Sequence, residues 1–527
     1  MNKTINTIFI ITLLLFCTLS SCKKVLEQQP KNSTYLQAYW KSAADANSAL
    51  SGDYSLLRAA LTFKENSYYM YSDAEAQNYF TIQYNGDGIE PIQVGNFIGA
   101  YNVNSLGNWT RFYKVISMSN LIIKQLPTMS DNQLSSGQTD PQTLRNSIIG
   151  QALFIRAYAY FMLTRVWGDV PLEVTSYDNP VDAPQLGRSP KADIFKQIEA
   201  DCHQAAGLLS WGYLSAQDVA VTANKGSVYA LLTHLYLWRA TMSDVNSATP
   251  NAADINSADT TVRALIQNGN YTLTDTSAAA YKKMFIGRSS ESIFEINMSE
   301  DSKEGSTIGI GLQFLPTQYL ATAGNNPRDY VAPAYIATNY KYNDSIVNPN
   351  PPYQKIISPV TDSTDIRYRN NFTATNTTKP ICLKYSNVVY RGVGQTQPYQ
   401  SNNMILFRLS DMLLLQAEIA VYKNDLPTAI TIINGWRKKH GGNSKDSVAS
   451  NATRDDVMHQ YIVERGRELY IEGHIFWDIL RTRTYGDFIS WLGLSRFRQE
   501  GFYWPVDPSL FQNNIHLVQT HYWAGQL

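Results

Sequence analysis

The stretch at residues 150–174, GQALFIRAYAYFMLTRVWGDVPLEV, decides the fold class because it is apolar on nearly every side. Apolar residues recur at steps of three and four along two neighbouring stripes, which is typical of a helix buried between other helices. Gly168 and Pro171 supply the signals that end a helix. The stretch therefore predicts a buried structural helix with these core aromatic residues: Tyr158, Tyr160, Phe161 and Trp167.

Helical periodicity continues on both sides of this stretch. We predict helices at residues 38–62, 108–126, 140–167, 191–209, 222–241 and about 257–267, and again at 404–422, 426–440, 454–472 and 475–482. Consecutive helices joined by short connectors resemble tetratricopeptide-type stacking, although a clean period of about 34 residues is not present. The expected fold class is mainly α, with tetratricopeptide-like helix pairs.

Two segments depart from this periodicity. Residues 68–107 are polar and rich in Gly, so we predict a long loop there that lies outside the core. Residues 271–403 contain short extended runs, such as 292–298 and 381–385, separated by Asn, Pro and Gly turns. The sequence thus predicts a loop-rich, partly β insert between an N-terminal helical region at 36–270 and a C-terminal helical region at 404–527.

The N-terminus has the organisation of a bacterial lipoprotein signal. Lys3 precedes an apolar run at residues 8–19, and small residues precede Cys22. The run is shorter than the roughly 20 residues that a membrane-spanning helix needs, so we predict a signal peptide at residues 1–21 that is removed. Cys22 is then the lipid-attachment residue, and residues 22–35 form a polar tether. The mature protein is expected to be anchored to a membrane and folded in water.

The composition argues against one class of partner. Basic and acidic residues number 44 each, for a net charge of +0, so the charge pattern expected of a nucleic-acid-binding protein is missing. Aromatic residues make up 12% of the chain, and Tyr alone numbers 34. Of the cysteines, Cys202 and Cys382 lie in the predicted folded part. We predict two buried free thiols, with one disulfide as the alternative.

Several motifs of the mature chain occur together in one known family. The most recognisable block consists of Arg156, Ala157, Tyr158, Gly168, Asp169, Val170, Pro171 and Leu172. Other matching residues include Tyr39, Trp40, Trp109, Asn120, Lys225, Gly226, Arg408, Asp411, Glu418, Glu464, Arg465, Glu472, Gly473, Asp478, Arg481, Trp504 and Pro505. With these residues the chain resembles the SusD/RagB family of outer-membrane nutrient-binding lipoproteins. It departs from the family at Ser410, where Ala is usual, at His474, where Arg is usual, and at Thr520 and His521, which replace the usual Asn after Gln519.

The resemblance implies a SusD-like α/α superhelix whose loops hold the ligand. It implies a cell-surface lipoprotein, anchored to the outer membrane, that captures oligosaccharides without catalysis. The implied partner is a SusC-like TonB-dependent transporter that receives the ligand. Some members of the family bind peptides instead, which is an alternative for this chain.

Two tyrosine-rich stretches have the composition expected of a sugar-binding site. Sugar rings have apolar faces edged by hydroxyls, so aromatic rings beside hydrogen-bonding side chains suit them. We expect the stretches at residues 79–102 and 314–342 to converge on one shallow site, since binding residues concentrate on loops held by a rigid frame. Ordinary surface tyrosines are the alternative interpretation. The candidate ligand-binding residues are Tyr79, Tyr84, Asn85, Asp87, Tyr101, Asn102, Tyr319, Arg328 and Tyr330.

Three carboxylates at helical spacing raise the alternative of a glycoside hydrolase. Glu464, Glu468 and Glu472 are four residues apart, and glycoside hydrolysis uses a carboxylate pair. Ion pairing keeps carboxylates ionised, which disfavours an acid role. We therefore favour an ion-paired structural helix and expect no catalysis, given three nearby arginines: Arg465, Arg467 and Arg481. A scaffold for protein assembly, without a small ligand, is a third hypothesis.

The motifs predict no cofactor. The seven histidines do not have the spacing of zinc ligands in known motifs. Residues 85–88, Asn-Gly-Asp-Gly, resemble part of a calcium-binding loop, but the other ligand positions of an EF-hand are missing. A structural calcium ion held by loop oxygens is an alternative that the sequence leaves open.

Overall fold

The computed structural model describes residues 39–83, 88–98, 101–135, 139–298, 309–320, 327–347, 350 and 354–526. The predicted lipid-attachment residue Cys22 and its tether lie outside these ranges. Within them, every helix is too short or too polar to cross a membrane.

The α-helices form the frame of the molecule. The N-terminal helices are α1 (Ala43–Leu61), α2 (Phe63–Met70), α3 (Tyr101–Leu106), α4 (Thr110–Gln125), α5 (Asp131–Leu134), α6 (Pro141–Trp167), α7 (Lys191–Leu208), α8 (Lys225–Met242) and α9 (Ala252–Asn268). Short helices of the insert are α10 (Ala278–Met284), α11 (Ile310–Phe314), α12 (Pro333–Asn339) and α13 (Ile366–Asn371). The C-terminal helices are α14 (Leu409–Tyr422), α15 (Leu426–Lys439), α16 (Arg454–Glu468), α17 (Ile475–Thr482), α18 (Tyr485–Phe488) and α19 (Leu494–Arg498).

The long helices pack against one another. Helix α6 packs between α4 and α7, α8 packs on α9, and α14 packs on α9, α15 and α16. The prediction of a mainly helical fold is therefore confirmed. Helix α9 begins earlier than predicted because the Asn251 side chain accepts hydrogen bonds from the first free backbone N–H groups, those of Ala253 and Asp254.

The strands are short and form two-stranded antiparallel pairs. They are β1 (Phe80–Ile82), β2 (Ser292–Ile296), β3 (Asp329–Val331), β4 (Lys341–Val347), β5 (Lys355–Thr361), β6 (Phe372–Thr373), β7 (Ile381–Cys382), β8 (Val388–Arg391), β9 (Gln397–Gln400) and β10 (Met404–Arg408). The pairs are β1 with β3, β2 with β10, β4 with β5, β6 with β7, and β8 with β9.

Strand β10 occupies residues for which we predicted the beginning of a helix. It pairs antiparallel with β2, so that Met404 lies opposite Ile296, and all of its residues are buried. A short apolar run is compatible with a buried strand and with a buried helix. The partner strand, which comes from the insert, decides between the two.

Helix α6 lies at the centre of the frame, as its sequence predicts. Residues 150–167 are all buried. The Phe154 ring packs against Phe294 of β2, with centroids 4.8 Å apart, and the Tyr158 ring packs against Phe407 of β10, at 6.0 Å. Helix α6 thereby joins the N-terminal helices to the insert and to the C-terminal region.

The polar interruption of α6 at Arg156 also has a structural role. Its guanidinium donates to both carboxylate oxygens of Asp201 in α7, at 2.8 and 2.6 Å, and to Oδ1 of Asn120 in α4, at 2.7 Å. A bidentate pair of this kind holds a buried charge at a defined geometry. One side chain thus joins three helices of the frame.

The prediction that residues 68–107 lie outside the core is wrong. Residues 66–76 are all buried. Two of their carboxylates accept hydrogen bonds from the other end of the chain: Asp73 accepts the Gly473 backbone N–H at 2.7 Å, and Glu75 accepts the Trp504 indole N–H at 2.5 Å. Buried polar groups are tolerated when they are hydrogen-bonded, and those partners cannot be read from the local sequence.

Two further predictions concern cysteine residues and aromatic residues of the core. Cys202 and Cys382 are buried and free, which confirms the prediction of two free thiols. The four aromatic residues predicted for the core of α6 are also buried.

Candidate ligand-binding site

The two tyrosine-rich stretches meet where β1 pairs with β3. Thr81 lies opposite Tyr330 in the antiparallel register. The pairing continues by one hydrogen bond, in which the Gln83 backbone N–H donates to the Arg328 carbonyl at 2.8 Å. Backbone hydrogen bonds therefore bring two distant loops of the sequence onto one surface.

Alternation along the paired strands gives this surface two faces. Phe80, Ile82, Asp329 and Val331 are buried, because side chains of successive strand residues point to opposite sides. The residues between and beside them are half-buried, and we call their outward face the β1–β3 surface: Thr81, Gln83, Arg328 and Tyr330.

A fifth residue joins the β1–β3 surface from another part of the insert. The Lys379 ammonium group donates to Gln83 Oε1 at 2.5 Å and lies 5.7 Å from the centroid of the Tyr330 ring. The Val331 backbone N–H donates to the carbonyl of the next residue, Pro380, at 3.0 Å, which holds this segment against β3. An aromatic ring, an amide and an ammonium group therefore lie side by side.

This arrangement suits a ligand with an apolar face and a polar edge. The Tyr330 ring can pack on an apolar face, while the amide of Gln83 and the ammonium of Lys379 can hydrogen-bond to hydroxyl or carboxylate oxygens at the edge. The side chains of the surface are half-buried and stand on a two-stranded ribbon.

One of the candidate residues, Tyr79, is in the core. Its side chain is 3% exposed, and its ring packs 5.0 Å from that of Tyr335 and 6.4 Å from that of Tyr470. A ring in this position presents no face to a ligand. Tyr79 precedes β1 by one residue and points inward, so we withdraw it from the candidate residues.

The other candidates are distributed as follows. Tyr319 is 40% exposed and follows α11, whose Phe314 ring packs 5.5 Å from Phe80 of β1. Tyr84, Asn85 and Asp87 lie outside the described residues, and so does the calcium-like loop that contains them. Tyr101 and Asn102 begin helix α3, and the positions of their side chains are not described.

Sequence reasoning missed Lys379 as a member of the candidate site. It lies 296 positions from Gln83 in the chain, and no local pattern distinguishes it from other lysines. Thr81 and Gln83 fall inside the first predicted stretch but were not among its candidate residues. The period-2 alternation of a strand would have indicated that they point away from the buried Phe80 and Ile82.

The three spaced glutamates form buried ion pairs. Arg367 donates to Glu464 at 2.6 Å and to Glu468 at 3.1 Å, and Arg408 donates to Glu468 at 2.7 Å and to Glu472 at 2.7 Å. Helix α16 ends at Glu468, so Glu472 lies in the turn that follows and not on the predicted helical face. Arg367 comes from α13 of the insert, and Arg408 comes from β10.

The charge state of these carboxylates follows from their partners. Although burial opposes ionisation, the positive charges of Arg408 and Arg367 hold the pKa of Glu468 well below its usual value. The pKa values of Glu464 and Glu472 are also lowered, against the effect of burial, by the charges of neighbouring basic groups. A carboxylate of this kind stays ionised and cannot serve as a general acid near neutral pH.

Comparison with protein families gives two matches along the chain. A family model described as "Starch-binding associating with outer membrane" matches residues 58–237, and a model described as "SusD family" matches residues 290–489. SusD-like protein P38 of Formosa agariphila is 25% identical, over 97% of this chain and 99% of that one. SusD-like protein P25 of the same organism is 21% identical, over 90% of each chain.

Solved structures share the fold. A SusD homolog from Bacteroides thetaiotaomicron superposes with a TM-score of 0.75 at 20% identity, over 92% of this chain and all of that one. NanU from B. fragilis superposes with a TM-score of 0.67 at 20% identity, over 94% of this chain and 99% of that one. The helical frame and the insert therefore form a known architecture.

Proposed function

Since this chain belongs to the SusD/RagB family, we propose that it is an outer-membrane nutrient-binding lipoprotein that captures oligosaccharides on the β1–β3 surface and passes them to a SusC-like TonB-dependent transporter. The observation that carries the proposal is the juxtaposition of Tyr330, Gln83 and Lys379 on the β1–β3 surface. Anchoring through a lipid on Cys22 would keep this surface at the membrane where the transporter lies.

The chemistry of the surface supports an oligosaccharide as the ligand. A sugar ring stacked on Tyr330 would bury its C–H face, and its hydroxyls would meet the Gln83 amide and the Lys379 ammonium. Tyr319, which is exposed and follows a helix packed against β1, would extend the contact area to a second sugar unit. A surface with a few hydrogen-bonding groups suits capture and release.

The state of the spaced glutamates supports binding without catalysis. A retaining or inverting glycosidase needs one carboxyl group that is protonated near neutral pH. Here Glu464, Glu468 and Glu472 are buried and ion-paired, and their pKa values are lowered. These residues therefore stabilise the fold in our proposal and do not contact the ligand.

Binding to an oligosaccharide array, followed by calorimetry with the best ligand, tests the proposal. Tyr330→Ala should weaken binding about fivefold, because stacking on an aromatic ring contributes on the order of 1 kcal/mol. Tyr39→Ala is a matched control, since Tyr39 is 42% exposed but lies at the start of the helical frame; it should leave affinity unchanged. Both variants should melt as cooperatively as the wild type.

Each remaining hypothesis has its own outcome in this experiment. Binding only to a peptide library would favour a peptide-binding member of the family. Shortened oligosaccharides after long incubation would indicate a hydrolase and contradict binding without catalysis. Equal affinities of wild type and Tyr330→Ala would show that the ligand binds elsewhere on the protein.

The transporter partnership needs a separate experiment. We expect the protein to co-purify from mild-detergent extracts of the outer membrane with a large TonB-dependent barrel. Recovery of the protein alone, under conditions that keep other outer-membrane complexes intact, would contradict the partnership while leaving the proposal about the ligand untouched.

A further inference from the structure

A cluster of two histidines and one aspartate lies inside the helical frame, on elements that do not form the β1–β3 surface. His234 is in α8, Asp411 is in the first turn of α14, and His474 immediately precedes α17. The potential ligand atoms of the three side chains all lie within 4.8 Å of one another. Three separate segments therefore bring two imidazoles and one carboxylate together.

The geometry within the cluster is already compact. His234 Nε2 lies 2.8 Å from Asp411 Oδ2. The rings of His234 and His474 lie 5.3 Å apart between centroids and 19° from parallel. A zinc ion binds nitrogen and oxygen ligands at about 2.0–2.2 Å, so binding would replace the hydrogen bond between His234 and Asp411 with two bonds to the metal and would draw His474 toward the same point.

The surroundings of the cluster hold Asp411 in a ligating orientation. Arg465 donates to the other carboxylate oxygen, Oδ1, and is itself held by Asp478, which accepts from its Nε at 2.7 Å. Hydrogen bonds from a second layer of residues commonly orient the ligands of a metal ion in this way. Oδ2 is thereby directed toward the two imidazoles.

We propose that His234, Asp411 and His474 form a binding site for a divalent transition metal of the zinc class. Two imidazoles with one carboxylate are typical ligands of Zn²⁺ and Co²⁺, whereas Ca²⁺ and Mg²⁺ prefer oxygen ligands alone. Arginine, which the resemblance to the SusD/RagB family makes the usual residue at the position of His474, could not ligate a metal. Its position in the core assigns the metal a structural role.

The test uses the mature chain without an affinity tag, after treatment with a chelator. Calorimetry with Zn²⁺ should give about one ion per chain, and bound Zn²⁺ should raise the melting temperature. Co²⁺ should produce the intense visible absorption bands of a four-coordinate nitrogen and oxygen site. Ca²⁺ at the same concentration should have neither effect.

Three histidine variants locate the bound metal. His474→Arg and His234→Gln should each weaken Zn²⁺ binding by more than about 100-fold, since loss of even an outer partner of a ligand typically costs about 10–100-fold. The control is His459→Gln, because His459 is paired with Asp487 at 2.9 Å on the surface of α16; it should bind Zn²⁺ as the wild type does. Far-ultraviolet circular dichroism and cooperative melting check that each variant folds.

Two results would overturn the proposal. One is the absence of stoichiometric Zn²⁺ binding by the wild type, with only the weak bands of six-coordinate Co²⁺. The other is unchanged binding in His474→Arg and His234→Gln. If both variants fail to fold, the Co²⁺ spectrum of the wild type decides, because a four-coordinate spectrum requires ligands from the protein. Oligosaccharide binding plays no part in either outcome.

Discussion

At the scale of single residues, several buried acids are held in the neutral form by their surroundings. Burial raises the pKa of Asp73 to about 7, although the Gly473 backbone N–H donates to it. Its second carboxylate oxygen, Oδ1, accepts no hydrogen bond from the described residues. Burial also raises the pKa of Asp53 and Glu75 well above their usual values. Glu468 is paired directly with two arginines, whereas the charges of Lys384 and Arg496 offset only part of the cost of burying Asp73 and Glu75.

Asp73 should make the stability of the protein fall as the pH rises. Its pKa is higher in the folded state, at about 7, than in the unfolded state, at about 3.9. The stabilisation is therefore complete below about pH 4 and is lost as the pH rises to about 7, by up to about 4 kcal/mol. Asp73→Asn, which does not titrate, should show a smaller loss in urea unfolding between pH 4.5 and pH 8.

The control for this prediction is Asp182→Asn, because Asp182 is exposed. It should keep the pH dependence of the wild type. For each variant, the quantity measured is the change in its free energy of unfolding between pH 4.5 and pH 8. The cost of burying an amide in Asp73→Asn is the same at both pH values and therefore cancels in this difference. An identical pH dependence of Asp73→Asn and wild type would contradict the prediction.

At the scale of elements, α16 contacts both Tyr79 and the insert so closely at Gly466 that a larger residue there would have to displace a neighbour. A Cβ at Gly466 would lie 2.5 Å from the Tyr79 hydroxyl, and the Gly466 carbonyl accepts a hydrogen bond from the Tyr335 hydroxyl at 2.9 Å. The helix thus supports the aromatic cluster beneath β1. Its other faces carry the glutamates that pair with arginines of the insert and of β10.

Two glycine substitutions distinguish helix propensity from packing. Gly466→Ala should destabilise the protein by about 1–3 kcal/mol, because the added methyl group overpacks against Tyr79 and outweighs the better helix propensity of Ala. Gly435→Ala lies in the exposed interior of α15 with nothing within 4 Å, so it should stabilise by up to about 1 kcal/mol. Chemical denaturation measures both, and effects of the same sign would contradict the packing argument.

Glu468 is the second test at this scale. Glu468→Gln leaves Arg408 and Arg367 without one of their charged partners in a buried site, so we expect a loss of about 3–5 kcal/mol in the free energy of unfolding. Asp455→Asn, on the exposed side of the same helix, should change it by less than about 0.5 kcal/mol. A stable Glu468→Gln variant that had lost a hydrolytic activity would instead indicate a catalytic glutamate.

At the scale of the whole molecule, the helices and the insert share one continuous core. Phe154 of α6, Phe294 of β2 and Phe407 of β10 belong to the same hydrophobic cluster, although they come from the three predicted regions of the chain. A continuous core gives the β1–β3 surface a rigid support, because the strand residues beneath it pack into that core. Ligand binding on this surface should therefore require little rearrangement of the frame.

The membrane anchor is the prediction that belongs to this scale. Cys22→Ala removes the thiol that would carry the lipid, so the protein should move from the outer-membrane fraction to the soluble fraction. Cys202→Ala, which changes a buried free thiol, should stay with the membrane. Fractionation followed by immunoblotting measures both, and an unchanged distribution of Cys22→Ala would refute the lipid attachment.

The sequence by itself determined the helical frame, the buried character of α6 and the state of the two cysteines. These features follow from periodicity and from the burial preference of each residue type, which are local properties of the chain. The lipid attachment at Cys22 also comes from the sequence and stays a prediction. The start of α14 could not be predicted in the same way, since β10 is a strand only because β2 pairs with it.

Only the tertiary structure decided which distant side chains meet. It joined Tyr330 to Lys379 and Gln83, placed Tyr79 in the core, and brought His234 to Asp411. The physical reason is that strand register and buried ion pairs depend on partners hundreds of residues away. A local pattern can show that a residue suits a binding surface, but the fold determines whether its side chain points toward the ligand or into the core.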